Sequence, residues 1–110
     1  MNDLINKLEK IEGLDKNFSL KLLCLENNRL ITIEGSLHVM KFIQVLMLND
    51  NKLRNLDLNI SILKSLSFLK SLNLFGNPLA EEPEYRNRVI FALPSLDDLD
   101  RHSKISFNFT

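Results

Sequence analysis

Leucines recur along this chain with a period of two inside a longer repeat. Three segments align without gaps as apolar-x-x-Leu-x-Leu-x-x-Asn-x-Leu, namely LKLLCLENNRL, IQVLMLNDNKL and LKSLNLFGNPL. Their asparagines, Asn28, Asn51 and Asn77, are 23 and 26 residues apart. The two leucines of x-Leu-x-Leu point to one side of a short strand, because side chains alternate along a strand. The repeat therefore predicts neighbouring parallel strands with one shared interior, rather than an ordinary helical domain with many leucines.

Each position of the repeat has a physical role. The asparagine carries one carbonyl acceptor and two amide donors, so stacked asparagines can satisfy backbone groups where the chain leaves each strand. The next Leu and later apolar positions such as Ile33 and Leu56 fill the interior. No repeat buries its apolar face alone, so stability comes from its neighbours. We expect loss of Leu46, Leu48 or Leu72 to be severe, since a buried Leu contributes about 1.5–3 kcal/mol.

The segments that connect the predicted strands differ in length. The earlier ones leave room for a turn or a short 3₁₀ segment, whereas LNISILKSLSFLK, before the third strand, is longer. Its residues Leu58, Ile62, Ser65, Leu66 and Leu69 follow helical spacing. We therefore expect one short helix on the convex side of the solenoid at this repeat.

Residues 80–110 are expected to cap the C-terminal end of the repeats. An apolar stripe typical of an amphipathic helix consists of Tyr85, Val89, Ile90 and Leu93. Pro83 falls where the first turn of a helix tolerates proline, and Pro94 should end the helix. Leu96 and Leu99 predict a final edge strand, after which Ile105 or Phe107 could fold back over the core. The amphipathic helix would thus close the open stack of leucines.

Residues 1–19 allow two interpretations. They form either an N-terminal capping helix, with Leu4, Ile5, Leu8 and Ile11 on one face, or a repeat that lacks its strand. The second is favoured, because Leu8, Ile11, Glu12 and Gly13 match Leu30, Ile33, Glu34 and Gly35 position by position. It would leave an open strand edge before Leu20, through which the protein could self-associate. The whole chain is then a single domain, with three repeats in residues 20–79.

The same register predicts which side chains face the hollow of the arc. Leu22 should lie beside Val45 and Cys24 beside Met47, with Phe75 at their flank. Contiguous exposed apolar patches mark interaction sites, and Met and Phe are favoured there; the alternative is ordinary strand formers on a partly shielded face. We expect a partner segment with apolar anchors, whose basic residues meet Glu26, Asp50, Asp98 and Asp100. The predicted binding residues are Leu22, Cys24, Glu26, Val45, Met47, Asn49, Asp50, Ser71, Asn73, Phe75 and Asp98.

Composition narrows the classes of function. The 14 Lys and Arg residues balance 14 Asp and Glu residues, which argues against direct nucleic-acid binding and against an anionic membrane surface. The sequence has no apolar run long enough to span a bilayer and no signal-peptide pattern, and Cys24, its single cysteine, favours a reducing compartment. One cysteine and two separated histidines, His38 and His102, form no metal or catalytic pattern. The chain is therefore expected to be non-catalytic, without cofactor, and cytoplasmic.

The Asn-x-Leu-x-x-Ile-Glu-Gly turn and the motifs near the C-terminus carry a resemblance to a known family. Those motifs are Gly76-Asn77-Pro78-Leu79, Pro83-Glu84-Tyr85-Arg86 and Leu93-Pro94-x-Leu96-x-x-Leu99-Asp100. Over nearly its whole length the chain resembles the short-repeat subclass of leucine-rich-repeat proteins, which includes the type-1 phosphatase regulatory subunit, the dynein leucine-rich light chain, the spliceosomal A-prime protein and ciliary members.

The resemblance implies a fold and a role. The fold is a right-handed α/β solenoid with short parallel strands on the concave face, helices or turns on the convex face and a helical C-terminal cap. The role is that of an adaptor or scaffold that binds another protein on the concave face, in a ciliary or regulatory complex. The alternatives are a splicing-associated scaffold in the nucleus or a phosphatase regulator, although a phosphatase regulator of this class has many more repeats.

Overall fold

Five short strands form one sheet in this computed structural model, which describes Ile11 and residues 19–103. The strands are β1 (Leu22–Cys24), β2 (Val45–Met47), β3 (Ser71–Asn73), β4 (Asp98–Leu99) and β5 (His102–Ser103). They lie side by side in chain order, and β1 to β4 pair in parallel. Each coil of the chain therefore packs on the next, and the α/β solenoid predicted from the repeats is confirmed.

The leucines at the centre of the repeat form a row across the sheet. Leu23 pairs with Leu46, Leu46 with Leu72, and Leu72 with Leu99. The exposed fraction of Leu23 is 8%, and the other three are fully buried. The second leucines of the repeats are buried as well, and they are Leu25, Leu48 and Leu74. The predicted shared interior is therefore confirmed at every repeat.

The predicted asparagine ladder joins neighbouring coils. The Asn51 side-chain amide donates to the backbone oxygens of Leu25 and Leu48, both at 3.0 Å. Its Oδ1 accepts the backbone N–H of Leu30, also at 3.0 Å. Asn77 repeats the arrangement one coil later, donating to Leu48 and accepting from the next repeat position, Leu53. Each asparagine thus bonds its own coil to the preceding one.

The segments between strands contain the short 3₁₀ segment and the short helix that were expected, but the helix buries a different set of residues. A 3₁₀ helix, Ser36–Val39, precedes β2, and the helix α1, Leu56–Leu63, precedes β3. The apolar residues whose spacing predicted this helix do not form its buried face, because Leu58 is 41% exposed and Ile62 is half-buried. The buried face of α1 consists of Leu56, Asn59, Ile60 and Leu63. Beyond α1, Leu66 and Leu69 are buried in turns.

Capping interactions explain where α1 begins. Asn55, in a left-handed conformation, accepts the backbone N–H of Leu58 at 3.2 Å. The backbone N–H of Leu56 donates to the carboxylate of Glu82, which lies in the C-terminal cap, at 2.9 Å. A carboxylate at the first turn of a helix also interacts favourably with the helix dipole. These contacts start the helix at Leu56 and place that residue, rather than Leu58, in the core.

The C-terminal cap contains a 3₁₀ helix, Pro78–Glu81, and the helix α2, Tyr85–Ala92. Tyr85, Val89 and Leu93 are buried and Ile90 is half-buried, which confirms the predicted apolar stripe. Pro83 was expected in the first turn, but α2 begins only after Glu84. The positive φ of Glu84, 59°, turns the chain just before the helix. The helix ends two residues before Pro94, as predicted.

The expectation of β4 as the edge of the sheet was wrong. Asp100 and Arg101 both have positive φ, 54° and 68°, and they reverse the chain. As a result β5 returns antiparallel along β4, with Asp98 opposite Ser103 and Leu99 opposite His102. Ile105 and Phe107, which were expected to cover the core, lie outside the described residues.

Asp100 completes the bonding of β3 where the fourth coil turns away. Its Oδ1 accepts the backbone N–H of Leu74 at 2.7 Å, in place of the strand carbonyl that a straight β4 would offer. Its Oδ2 accepts the hydroxyl of Tyr85 at 2.8 Å, and both side chains are buried. Burial, and then the charge and hydrogen bond of Asp100, raise the pKa of Tyr85 far above its usual value.

This raised pKa predicts a loss of stability in alkali. Because the folded pKa of Tyr85 exceeds the unfolded one, its contribution is complete below about pH 10 and declines as the pH rises further. The free energy of unfolding should fall by about 1.4 kcal/mol per pH unit above that point. Urea titrations between about pH 9.5 and 11 would measure the slope. The absorbance of tyrosinate reports one site, since the chain has a single Tyr.

The matched control is Tyr85→Phe, which should lose the part of the alkaline slope that belongs to this hydroxyl and keep the rest. At neutral pH we expect Tyr85→Phe to cost about 1–2 kcal/mol, because Asp100 keeps only one buried partner. An identical alkaline slope in both proteins would show that the hydroxyl does not bond to Asp100 in the folded chain.

The N-terminal end is described at one position only. Ile11 is fully buried and forms a parallel bridge with Gly35, which agrees with the interior place given to it by both interpretations. The rest of the predicted partial repeat or cap, including Leu4, Ile5 and Leu8, lies outside the described residues. No helix within the described ranges has the length and apolar character that crossing a membrane requires.

Candidate protein-binding face

The concave face is the side of β1–β4 opposite the leucine row. The structure places the predicted residues there with unequal exposure. The exposed ones are Leu22, Cys24, Asp50 and Phe75. The half-buried ones are Glu26, Val45, Met47, Asn49, Ser71 and Asp98. Asn73 is the exception, with an exposed fraction of 5%.

Five of these residues form what we call the apolar patch: Leu22, Cys24, Val45, Met47 and Phe75. Leu22 lies directly opposite Val45, and Cys24 lies opposite Met47, as the register predicted. Met47 pairs with Asn73, so Phe75, two residues further along, is a diagonal neighbour of Met47. The exposed fractions of Leu22 and Phe75 are 56% and 64%. Large apolar side chains are therefore open to solvent at both ends of the patch.

The prediction that Asn73 faces a partner was wrong. Its Oδ1 accepts the backbone N–H of Phe75 at 3.1 Å, and this bond holds the side chain against its own strand. Asp100 was also expected to meet a partner, but its two oxygens bond to Leu74 and Tyr85 in the interior. Both residues are therefore largely buried, and their side chains bond within the protein.

The remaining acidic residues of the face differ in availability. Asp98 accepts the hydroxyl of Ser71 at 2.7 Å, so these two predicted residues satisfy each other across β3 and β4. Asp50 is exposed and accepts the side-chain amide of Asn49 at 3.0 Å. Glu26 is half-buried and follows β1, as Asp50 follows β2. Asp50 is consequently the acidic side chain that a partner reaches most easily.

A pocket of about 290 Å³ lies where the strands end on this face. It is lined by Asn49, Asp50, Asn73, Phe75, Asp100 and Arg101. Gly76 has a φ of 79°, and a side chain at this position would overlap the Asp50 carboxylate. Arg101 was missed by the sequence analysis, because only the reversal after β4 brings it to the pocket. The pocket thus joins the aromatic ring of Phe75 to a polar, charged wall.

Cys24 shows no sign of activation as a nucleophile. Partial burial and, second, the nearby charge of Glu26 raise the pKa of its thiol above the ordinary value. The thiol therefore stays protonated at neutral pH, and thiolate is the reactive form. Among the described residues, no group of three or more His, Cys, Asp or Glu side chains is placed to hold a metal ion.

Comparisons with known proteins agree with the repeat architecture. The human protein called leucine-rich repeat-containing protein 23 (Homo sapiens) is 35% identical over 96 residues, which are 87% of this chain and 28% of that protein. Human U2 small nuclear ribonucleoprotein A' is 32% identical over 96 residues, which are 86% of this chain and 37% of that protein. The chain thus spans roughly a third of the length of these relatives.

A solved structure has the same fold. A chain of the Drosophila melanogaster SNF/U2A' complex superposes with a TM-score of 0.80 at 28% identity, over 89% of this chain and 56% of that one. A family model described as leucine-rich repeat matches residues 2–107. The protein is therefore a member of the leucine-rich-repeat family.

Proposed function

We propose that this chain is a non-catalytic protein-binding module that receives a segment of another protein on its concave face. The observation that carries the proposal is the apolar patch, whose outer members Leu22 and Phe75 are more than half exposed. Contiguous apolar side chains on a sheet face that meets water favour burial by a partner. Membership of a repeat family built around extended binding surfaces supports the same role.

The arrangement of the face indicates what the partner segment carries. Apolar side chains of the partner would cover Val45 and Met47, which are only half-buried by the protein itself. A basic side chain beyond them would pair with the exposed carboxylate of Asp50 beside the ring of Phe75, and Arg101, which also lines the pocket, is the like charge that this pairing has to outweigh. We therefore expect an apolar segment that ends in Lys or Arg.

The double change Met47→Asp with Phe75→Ala is expected to abolish partner binding and leave the fold intact. Met47→Asp places a charge among apolar contacts, and Phe75→Ala removes the aromatic ring of the apolar patch. The matched control is Leu58→Asp with Phe91→Ala, which makes the same kinds of change on the exposed sides of α1 and α2. Neither pair touches the buried leucine row.

Quantitative affinity capture from a native extract measures the effect. Proteins captured by the unchanged chain and by the helix control, but lost with the concave-face variant, would be identified by mass spectrometry. The proposal predicts at least a hundredfold loss of these proteins, about 2.7 kcal/mol or more of binding energy. Equal capture by the two double variants would move the binding site away from the concave face.

A second candidate function is a scaffold in a splicing ribonucleoprotein. It is supported by the relatives that are named U2 small nuclear ribonucleoprotein A' and by the similar chain that was solved in complex with SNF. This candidate predicts a nuclear location and binding to SNF itself. Titration of purified Drosophila SNF into the chain, followed by calorimetry, would test it, and the absence of heat at micromolar concentrations would dismiss it.

The other assignments made from the sequence stay predictions. They are the cytoplasmic or ciliary location, the phosphatase-regulatory role, the absence of direct nucleic-acid and membrane contacts, and self-association through the N-terminal edge. Imaging a fluorescent fusion would separate nucleus from cytoplasm and cilium, and the measured mass in solution would report self-association.

A further inference from the structure

A second exposed apolar surface lies away from the concave face, at the turns that lead into β2 and β3. Phe42 and Phe68 each stand three residues before a strand, and their rings stack with centroids 5.7 Å apart and planes at 27°. Their exposed fractions are 50% and 49%. The repeat therefore brings two aromatic rings together on the outside of the solenoid. They are not part of the buried leucine interior.

A cavity borders the turn that carries Phe68. It has a volume of about 230 Å³, and its walls come from the turn after α1 and the end of α2. The apolar part of the lining consists of Leu66, Ala92, Leu93 and Pro94. Ser67 also lines the cavity and immediately precedes Phe68, so one turn of the chain contributes both to the cavity and to the pair of rings. We call this surface the aromatic groove.

Hydrogen bonds fix both walls of the aromatic groove. The hydroxyl of Ser95 donates to the backbone oxygen of Leu69 at 3.0 Å, which joins the cap to the turn before β3. Within the walls, the backbone N–H of Leu69 donates to Leu66 and that of Leu96 to Leu93, at 3.1 and 3.0 Å. A site that is already ordered loses little conformational entropy when it binds. The aromatic groove is thus prepared for a ligand without rearrangement.

Lysines predominate among the charged residues of the segments that form the aromatic groove. Lys64 lines the cavity, Lys41 precedes Phe42, and Lys70 follows the turn of Phe68; all three are exposed. Within the described part of the chain, no ion pair involves any of these lysines. Asp97, exposed beside Lys70 with its backbone N–H bonded to the Lys70 oxygen at 2.7 Å, is the opposing charge in this row. Three lysines against one aspartate favour an acidic ligand.

We propose that the aromatic groove is a second docking surface, which binds an acidic peptide segment of another protein through an aromatic or leucine anchor. The anchor occupies the cavity beside Phe68, and carboxylates of the segment pair with Lys64, Lys41 and Lys70. This surface is independent of the concave face, so one chain can hold two partners at once.

Selection from a random peptide phage library on the 110-residue chain tests the proposal. The enriched peptides should combine an aromatic or leucine residue with two or more acidic residues. Synthetic peptides with a Trp anchor then report binding by their own fluorescence, because the chain contains no Trp. We expect Phe68→Ala and Lys64→Glu each to weaken binding at least tenfold. Both residues are exposed on the surface, and circular dichroism would confirm an unchanged fold.

Met47→Asp is the control, because it alters the concave face and should leave binding of the acidic peptide within twofold. A peptide with its acidic residues changed to Lys should lose at least tenfold in affinity. Enrichment of peptides without an acidic excess, binding that survives Phe68→Ala, or no enrichment at all would overturn the proposal. Peptides lost with Met47→Asp but not with Phe68→Ala would assign the selection to the concave face and equally overturn it.

Discussion

Asn51→Ala is expected to lower the free energy of unfolding by about 3 kcal/mol, because it cuts a buried link between two coils. The carbonyls of Leu25 and Leu48 lose one donor each, yet each keeps the amide of a neighbouring asparagine, Asn28 or Asn77. The backbone N–H of Leu30 keeps no such substitute for its bond to Asn51, and it is buried. The largest part of the cost therefore arises from this unsatisfied N–H, and the lost amide bonds to the two carbonyls supply the rest.

The control is Asn49→Ala, two residues away in the same turn. The Asn49 side chain is half-buried and donates to the Asp50 carboxylate, so its loss should change stability by less than about 0.5 kcal/mol. Urea denaturation followed by circular dichroism gives both values. Similar losses for Asn49→Ala and Asn51→Ala would mean that the ladder contributes no more than a surface contact.

Leu46→Ala is expected to lower the free energy of unfolding by about 3–5 kcal/mol. The total free energy of unfolding of a marginally stable small domain is of the same size. Leu46 is fully buried in β2, a strand with a parallel partner on each side, and it lies between Leu23 and Leu72 in the row. The neighbours belong to other coils that the asparagines hold in place, so the cavity left by the leucine cannot close easily.

Val45→Ala tests the alternation of faces at the adjacent position. Val45 points to the concave face and is half-buried, so the same truncation should cost less than about 1.5 kcal/mol. Both variants would be compared by urea denaturation with a common slope against denaturant. A loss for Val45→Ala as large as that for Leu46→Ala would show that β2 does not separate an interior from a concave face.

The strand rows could be predicted from the sequence because a period of two admits only two faces, and the leucines mark one of them. The helix α1 was harder, because LDLNISIL holds two apolar sets at helical spacing. Leu56, Ile60 and Leu63 form one set, and Leu58 with Ile62 forms the other. The choice between them depends on Glu82, which caps α1 from a later segment, and local periodicity contains no information about such a contact.

The candidate site shows the same limit. The register gave the apolar patch correctly, since Leu22, Cys24 and their neighbours across β2 follow directly from the repeat. It did not give the internal bonding of the polar residues. Asn73 bonds to a backbone N–H two residues away, and Asp100 bonds to Tyr85, the first residue of α2. A sequence pattern predicts the direction of a side chain, while its partners are set by tertiary structure.

The reversal at Asp100 and Arg101 has a consequence for assembly. A solenoid that ended on a straight parallel strand would offer the next molecule a template for head-to-tail addition, and repeated addition of that kind produces fibres. Here β5 runs the opposite way along β4 and occupies the hydrogen-bonding positions that an incoming coil would need. The two left-handed residues therefore withdraw the edge of β4 from parallel, head-to-tail pairing.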